Sequence, residues 1–283
     1  MSKNLIARIA VAIVAIPAIL WISYRGGAWL FGMVLLFALL AAGEFLTREG
    51  FRPSGLIFWL GLVAIGLAIG VSTGFVDLSR LLSIEITVYG GTLAVLLAFF
   101  LITAMILAVG KDSPTELFKR HARLMWAVIY LGLLYPFVYK VGQGLPTIGG
   151  GDCLLFLFAL LWLGDTAAMG VGKWLGKHKL APAVSPNKTV EGFVGGIVGA
   201  LVIAVVMHFW RLPNLGLVHL ILIALGASVF GQLGDLVESM WKRSLGIKDS
   251  SSLIPGHGGL LDRFDSLLFA APFVYAYLHL IVR

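Results

Sequence analysis

Residues 190–210 read VEGFVGGIVGALVIAVVMHFW, a stretch in which Glu191 is the only carboxylate and no Lys or Arg occurs. An α-helix needs about 20 apolar residues to cross the hydrocarbon core of a bilayer, which is about 30 Å thick. The stretch therefore predicts a membrane-spanning helix. Small residues at helical spacing would let a second helix approach it closely. They are Gly192, Gly195, Gly196 and Gly199.

The same apolar pattern recurs along the chain. Hydrophobic residues make up 59% of it and charged residues 12%, which is more apolar surface than a soluble domain of this length buries in a core. Segments long enough to span a bilayer lie near residues 5–24, 28–48, 55–75, 90–109, 122–142, 153–172, 190–210, 216–236 and 265–282. Residues 77–89 predict a short interfacial helix. We expect an all-α polytopic membrane protein with about nine transmembrane helices, the first of them retained rather than cleaved as a signal peptide.

The distribution of basic residues predicts the orientation of these helices. Sixteen of the 21 Lys and Arg residues fall at the N-terminus or in the second, fourth, sixth and eighth connections. Basic residues concentrate on the cytoplasmic side, so we expect a cytoplasmic N-terminus and a C-terminus on the opposite side of a cell membrane. Charged motifs concentrate in residues 151–283, which we expect to be catalytic. Residues 1–150 then form about five spans that serve as scaffold and lipid access.

Composition also excludes several classes of function. Cys153 is the single cysteine, so the chain has neither an internal disulfide nor a thiolate metal cluster. The formal net charge is +7. The sequence nevertheless contains no basic stripe with interleaved aromatic residues, which is the pattern that indicates binding of nucleic acid. Anionic lipid, a phosphorylated substrate and the cytoplasmic bias of basic loops account for the charge better.

The first charged motif lies inside the predicted span 153–172. Asp165 is an ionisable residue within an apolar segment, where charge is costly and usually serves a function. The structural alternative is a carboxylate that hydrogen-bonds to a neighbouring helix. Gly170 and Gly172 match no phosphate-binding loop and favour helix packing or a bend.

The second motif, Ser185-Pro-Asn-Lys-Thr-Val-Glu-Gly192, leads into the span 190–210. Asn187 or Thr189 is suited to cap the helix that follows. Exposed N–H groups at that terminus, beside Lys188, predict contact with a phosphate. Glu191 lies in the first turn, where a carboxylate also stabilises the helix dipole, so a structural role is its alternative.

The third group combines carboxylates from two spans. Asp235 lies at the end of the span 216–236, and Asp262 and Asp265 lie at the start of the last one. If residues 262–265 are helical, both carboxylates lie on one face. Three such oxygen ligands, together with substrate phosphate, suit Mg²⁺, although carboxylates at helix starts often serve only as caps.

The connection between these spans supplies positive charge and a flexible turn. Lys242, Arg243, Lys248 and Arg263 are countercharges, and Gly256, Gly258 and Gly259 permit a tight turn with exposed N–H groups. His257 in that turn is either a phosphate donor or base, or a structural hydrogen-bonding residue. The chain thus combines carboxylates that can bind a metal cation, basic side chains that can bind phosphates, and a location in the membrane. Together these features predict phosphoryl or nucleotidyl transfer to a lipid. A transporter of a phosphorylated or anionic substrate is the alternative, but it would show paired interrupted helices in two related halves.

The motifs resemble those of one enzyme family. Lys242-Arg243, Lys248-Asp249, Pro255-Gly-His-Gly-Gly259 and Asp262-Arg-Phe-Asp265, at these spacings, look like the signature of phosphatidate cytidylyltransferases (CDP-diacylglycerol synthases). The motif 185–192 resembles a second family block, and Asp165 falls where the family carries an intramembrane acidic residue. The resemblance is specific over residues 150–283. Trp241 departs from it, since an aliphatic or phenyl side chain is expected there.

The resemblance implies transfer of a cytidylyl group from CTP to phosphatidate, with Mg²⁺ as the cofactor. It also implies that the protein is surrounded by membrane lipid and forms a homodimer. It implies the catalytic residues Asp235, Asp262, Asp265, Lys188, Lys248 and Arg263. It implies the substrate-binding residues Lys173, Ser185, Asn187, Lys188, Thr189, Glu191, Lys242, Arg243, Lys248, His257, Gly258, Gly259 and Arg263. The implied metal ligands are Asp235, Asp262 and Asp265, with Asp165 near a second cation. Asp249 is expected to orient a basic neighbour.

Overall fold

The computed structural model describes residues 3–83 and 87–282, with side chains from residue 9 onward in the first range. Helices dominate, and a single β-hairpin interrupts them within these ranges. The elements are α1 (Lys3–Arg25), α2 (Gly27–Arg48), α3 (Leu56–Ser72), α4 (Leu78–Leu82), α5 (Val88–Ala108), α6 (Pro114–Val141), α7 (Gly150–Leu175), β1 (Lys179–Ala181), β2 (Ser185–Thr189), α8 (Val190–Trp210), α9 (Leu217–Ser244) and α10 (Leu261–Tyr277), followed by a π-helical turn, Leu278–Val282.

Seven helices in the described ranges are long and apolar enough to cross a membrane. They are α2, α5, α6, α7, α8, α9 and α10 with its π-helical turn. Two shorter apolar helices, Ile9–Arg25 and Leu56–Ser72, match the first and third predicted segments. Each of the nine predicted segments thus overlaps a helix. The expectation of a helical membrane protein is met, apart from the hairpin.

Two helices extend well beyond their apolar segments. Both α6 and α9 have 28 residues, whereas the sequence predicted 122–142 and 216–236. Their additional turns carry charged side chains, which interrupt the apolar pattern but are good helix formers. The five-residue helix α4 lies in the predicted interfacial segment 77–89, and Asp77 caps it by accepting a hydrogen bond from the Ser79 N–H. Residues 84–86 of that segment lie outside the described residues.

The chain forms two compact units. One unit is Gly32–Tyr139, and the other consists of the described residues of Met1–Phe31 and Lys140–Arg283. Within the first, a Cβ atom on Gly61 of α3 would lie 3.2 Å from Leu46 of α2 and 3.3 Å from Leu124 of α6. The absence of a side chain at Gly61 therefore allows three helices to meet. The functional division at residue 150 stays a prediction.

The second unit is organised around close packing of α7 against α8. Gly195 and Gly199 of α8 face Val171 and Ala167 of α7, and a Cβ atom on either glycine would approach those side chains to within 2.6–2.7 Å. Helix α9 packs on α8, and α10 packs on α9. The small residues of the stretch 190–210 thus allow the close approach that its sequence predicted.

An ion pair closes one end of this packing. Asp152, in the first turn of α7, accepts hydrogen bonds from the Tyr24 hydroxyl of α1 (2.7 Å) and from Nε of Arg211 just after α8 (2.9 Å). The Arg211 guanidinium also lies 5.7 Å from the centre of the Tyr24 ring. Three helices are therefore joined at the end opposite to Lys173 and Thr189.

Replacing Gly195 with Ala tests the packing of α7 against α8. The new methyl group would lie within 2.9 Å of three atoms of Val171, a β-branched side chain with little rotamer freedom. We expect the free energy of unfolding to fall by about 1–3 kcal/mol, measured by unfolding the purified protein in detergent. Gly170→Ala is the matched control, because nothing lies within 4 Å of its Cβ position. It should leave stability unchanged or raise it, since Ala favours helix. Equal losses in the two variants would contradict the packing.

Candidate active site

A cavity of about 620 Å³ lies among α7, the hairpin, α8 and α9. Its polar lining includes six of the predicted site residues: Asp165, Lys173, Asn187, Lys188, Thr189 and Asp235. Apolar side chains complete it, among them Met169, Leu180 and Phe193. The cavity therefore brings together residues that are 70 positions apart in sequence and combines charged groups with an apolar surface.

The hairpin connects α7 to α8 at this cavity. Strands β1 and β2 are antiparallel, with Lys179 opposite Thr189 and Ala181 opposite Ser185. The Thr189 hydroxyl accepts a hydrogen bond from the Gly192 N–H (3.1 Å) and so caps α8. This confirms one of the two capping candidates in the sequence. The strands themselves were not predicted, because they are only three and five residues long and one contains Pro186.

Lys188 and Asp235 form an ion pair at the cavity wall. The Lys188 ammonium lies 2.6 Å from Asp235 Oδ2, which joins β2 to α9. Asp235 Oδ1 accepts a hydrogen bond from the Ser239 hydroxyl (3.2 Å). Asp165 of α7 lies close enough to interact electrostatically with Asp235, and the charges of Lys188 and Arg263 act on it as well. The motifs of three different chain segments therefore share one electrostatic environment.

Three carboxylates form a compact acidic group beside this ion pair. One oxygen from each of Asp235, Glu238 and Asp265 lies within 4.8 Å of the others. Glu238 is fully buried, and its Oε1 has no hydrogen-bond partner among the described residues. Asp265 is also buried, and its Oδ1 accepts a hydrogen bond from the Ser266 N–H (2.6 Å). Sequence reasoning missed Glu238, although it lies three residues after Asp235 and hence on the same helical face.

Lys242 links the acidic group to the connection before α10. Its ammonium lies 2.5 Å from Glu238 Oε2 and 2.8 Å from Asp262 Oδ1. The Lys242 side chain is 12% exposed, against 0% for Glu238 and 3% for Asp262. Buried carboxylates are tolerated when they are paired and hydrogen-bonded. Lys242 therefore compensates two buried negative charges at once.

Asp262 organises the same connection from the start of α10. Its Oδ2 accepts hydrogen bonds from the Ser250 N–H (2.9 Å), the Ser250 hydroxyl (3.0 Å) and the Gly259 N–H (2.8 Å). Gly258 has φ +84°, and a Cβ atom there would lie 2.9 Å from this carboxylate. A glycine is thus required both by the backbone conformation and by the space. Asp262 lies on α10 as the sequence anticipated, but outside the compact group formed by Asp235, Glu238 and Asp265.

Comparison with known proteins identifies the family of the chain. The sequence profile of the cytidylyltransferase family matches residues 6–281. The chain belongs to the cytidylyltransferase family. It is similar to proteins named phosphatidate cytidylyltransferase from Staphylococcus saprophyticus, with 37% identity over 269 residues, and from Staphylococcus haemolyticus, with 36% over 270. A relative of the same name from Staphylococcus aureus (strain COL) is 36% identical over 271 residues. Each comparison covers 94% of this chain and 95% of the relative.

Membership of the cytidylyltransferase family confirms the resemblance that the sequence motifs predicted. It confirms that the chain is an enzyme and a transferase, which removes the transporter as the leading alternative. The match covers nearly the whole chain, whereas the motifs were specific only over residues 150–283. Residues 6–149 therefore belong to the family as well, although their sequence showed only hydropathy.

Several predicted site residues of this cytidylyltransferase have structural contacts. The Glu191 carboxylate accepts hydrogen bonds from the backbone N–H groups of Lys177 (3.0 Å) and His178 (3.2 Å), which fits its structural alternative. The Arg243 guanidinium donates to the carbonyl groups of Val184 (3.3 Å) and Ile247 (2.8 Å). Substrate contacts of Glu191 and Arg243 stay predictions.

The remaining predicted residues lie in or next to the connection before α10, except Ser185. Lys248 and Arg263 are exposed, and Ser185 begins β2. The His257 N–H donates to the Ile254 carbonyl (2.9 Å), while His257 Nδ1 is buried without a hydrogen-bond partner in the part of the chain that the structure describes. The backbone contact fits the structural alternative for His257, and the unpaired Nδ1 leaves its phosphate-binding or basic role a prediction.

Proposed function

We propose that the chain transfers the cytidylyl group of CTP to phosphatidate, which gives CDP-diacylglycerol and pyrophosphate. The observation that carries the proposal is the cavity in which Lys188 meets Asp235, next to a group of three carboxylates and at the ends of apolar helices. Positive charge for phosphates and oxygen ligands for a cation are the requirements of nucleotidyl transfer. The names of the relatives support phosphatidate as the acceptor.

Mg²⁺ is the proposed cofactor. The donor set fits it, because Asp235, Glu238 and Asp265 offer hard oxygen atoms within 4.8 Å of one another, and the buried Glu238 Oε1 has no partner among the described residues. When bound, Mg²⁺ supplies charge neutralisation to the triphosphate. Asp262 stays a predicted ligand, although its oxygens hold Lys242 and the preceding connection. Asp165 lies near Asp235 and is the candidate neighbour of a second cation.

Positioning and charge neutralisation account for most of the proposed chemistry. A phosphate monoester has a second pKa of about 6, so the phosphate of phosphatidate is largely dianionic near neutral pH and needs no strong general base. One of its oxygens forms a bond to the α-phosphorus of CTP, while the bond from that phosphorus to the oxygen shared with the β-phosphate breaks. Pyrophosphate then leaves with that electron pair. Lys188 and Lys173 line the cavity and are the proposed ligands of the phosphate groups.

The proposed arrangement in the membrane follows the distribution of basic residues. It has nine spans, a cytoplasmic N-terminus, a C-terminus on the opposite side and a cytoplasmic active site. CTP then enters the cavity from water, while phosphatidate enters from the inner leaflet and leaves its acyl chains in lipid. The apolar cavity residues Met169, Leu180 and Phe193 fit such an approach. A homodimer is the proposed assembly.

The test is the release of pyrophosphate by the purified protein in mixed micelles. We expect release only when CTP, phosphatidate and Mg²⁺ are all present, with CDP-diacylglycerol formed in equal amount. Diacylglycerol in place of phosphatidate is the matched control, because it lacks the attacking phosphate and should give no product. Pyrophosphate release at the same rate with and without phosphatidate would contradict the proposal.

A further inference from the structure

The ion pair of Lys188 with Asp235 occupies a carboxylate that the proposed cation also needs. Both oxygens of Asp235 are engaged, Oδ2 by the Lys188 ammonium at 2.6 Å and Oδ1 by the Ser239 hydroxyl at 3.2 Å. A divalent cation bound to Asp235 would lie within a few ångströms of that ammonium. Two positive centres at such a separation repel each other strongly where water is partly excluded. Lys188 and a cation are thus poor simultaneous partners of Asp235.

The cavity offers Lys188 another position. Its side chain is 27% exposed and that of Asp235 is 31% exposed, so the pair opens onto the cavity rather than being enclosed by protein. Lysine carries its charge on a flexible four-carbon chain with three rotatable donors. Release from Asp235 therefore requires rotation of the side chain and no movement of β2. In the cavity the freed ammonium meets the phosphate groups of the proposed nucleotide.

Glu238 provides a second observation that points to a cation. It is fully buried in the acidic group, and its Oε1 lacks a hydrogen-bond partner among the described residues, while Lys242 neutralises Oε2. A buried carboxylate oxygen without a partner is costly. Two lysines contact this acidic group: Lys242 from the buried side, and Lys188 from the cavity. Lys188 is the exchangeable one, because its pair is accessible.

We propose that Lys188 competes with a divalent cation for Asp235, so that cation binding transfers the Lys188 ammonium from Asp235 to the phosphates of the nucleotide. The nucleotide then relieves the repulsion, since its negative charges attract both positive centres. Cation and nucleotide therefore bind with positive coupling, and each raises the affinity of the other by the same factor. The inference rests on the proposed function and makes Lys188 the residue through which the two ligands are linked.

The experiment measures binding of Mn²⁺ to the full chain in neutral detergent, with free Mn²⁺ followed by electron paramagnetic resonance and no nucleotide present. Lys188→Met should bind Mn²⁺ about tenfold more tightly than the wild type, a change that corresponds to about 1.4 kcal/mol. Lys173→Met is the matched control. It removes the same charge from the same cavity, but Lys173 is exposed and pairs with none of the three carboxylates, so its effect should stay within about twofold.

Two further arms keep the result interpretable. In an Asp235→Asn background the Lys188→Met change should no longer affect Mn²⁺ affinity, because the shared carboxylate is gone. A non-hydrolysable CTP analogue should raise Mn²⁺ affinity in the wild type and raise it less in Lys188→Met. Unchanged or weaker Mn²⁺ binding by Lys188→Met would overturn the inference, as would the absence of binding in both proteins.

The experiments distinguish an error in the proposed function from an error in this inference. If the wild type releases no pyrophosphate from CTP and phosphatidate but the Mn²⁺ titrations behave as expected, competition for Asp235 stands and the reaction is wrong. If the wild type forms CDP-diacylglycerol as proposed but Lys188→Met binds Mn²⁺ no more tightly than the wild type, the proposed reaction stands. The proposed competition between Lys188 and the cation for Asp235 is then wrong.

Discussion

Replacing Asp265 with Asn is expected to lower the rate of cytidylyl transfer by at least about 100-fold while leaving the protein folded. Losses of this size follow removal of one preorganised electrostatic contact at a reaction centre. Asp265 belongs to the acidic group with Asp235 and Glu238, and Asn preserves its shape but not its charge. Pyrophosphate release, measured with saturating CTP and phosphatidate, gives the rate.

The stability of the same variant should not fall. Asp265 is buried, and its negative charge lies beside two other carboxylates, which disfavours the folded state. The Asn side-chain oxygen can still accept the hydrogen bond from the Ser266 N–H. We therefore expect an unfolding temperature equal to that of the wild type or slightly higher. Residues that serve function at the expense of stability behave in this way.

Asp262→Asn is the matched control, because it makes the same chemical change one helical turn earlier. Asp262 accepts hydrogen bonds from Ser250 and Gly259 and pairs with Lys242, so its replacement should lower the unfolding temperature. Near-normal turnover in Asp265→Asn would show that the acidic group is not the reaction centre. Equal loss of stability in both variants would mean that Asp265 has a structural role instead.

The sequence predicted the helices well because lipid imposes one simple condition on them. A helix that faces lipid on several sides must be apolar over about 20 residues, and each predicted segment overlaps a helix. The same condition says nothing about helical turns that leave the apolar region. The charged ends of α6 and α9 were therefore missed, and Glu238 lies in one of those turns. The hairpin was missed because pairing of such short strands depends on contacts distant in sequence, such as those of Glu191.

The candidate site was only partly predictable for a related reason. Residue type and spacing predicted one group of Asp235, Asp262 and Asp265, but they did not show which neighbours each carboxylate would contact. The structure places Asp265 with Asp235 and Glu238, and it directs Asp262 towards Lys242 and the N–H group of Gly259. These arrangements are set by how α9 packs on α10. From the sequence alone, the small residues indicate that these helices can pack closely, but not which side chains meet.

Replacing Lys242 with Met is expected to be the most destabilising of the substitutions considered. Glu238 and Asp262 both lose their cationic partner, and both are almost entirely buried. Removing one partner from a buried ion pair typically costs about 3–5 kcal/mol, because it leaves an uncompensated charge in the protein interior. The measurement is unfolding of the purified protein in detergent, together with limited proteolysis of the connection 245–260.

Arg243→Met is the matched control at the next position. Arg243 is exposed and donates hydrogen bonds to two backbone carbonyl groups, so its loss should cost about 1 kcal/mol. A second variant, Lys242→Met with Glu238→Gln, should recover part of the stability, because it removes one of the two uncompensated charges. Stability of Lys242→Met equal to that of the wild type would contradict the buried arrangement.

The Lys242 variants also separate a positioning role from direct binding of substrate. If Lys242 acts through Glu238 and Asp262, the Lys242→Met variant should become sensitive to protease in the connection 245–260. Adding Glu238→Gln should then recover part of the stability but no turnover, since Glu238 belongs to the acidic group. If Lys242 instead binds phosphate, Lys242→Met should raise the KM for CTP while its stability stays unchanged. The 12% exposure of the side chain and its two carboxylate contacts favour the positioning role.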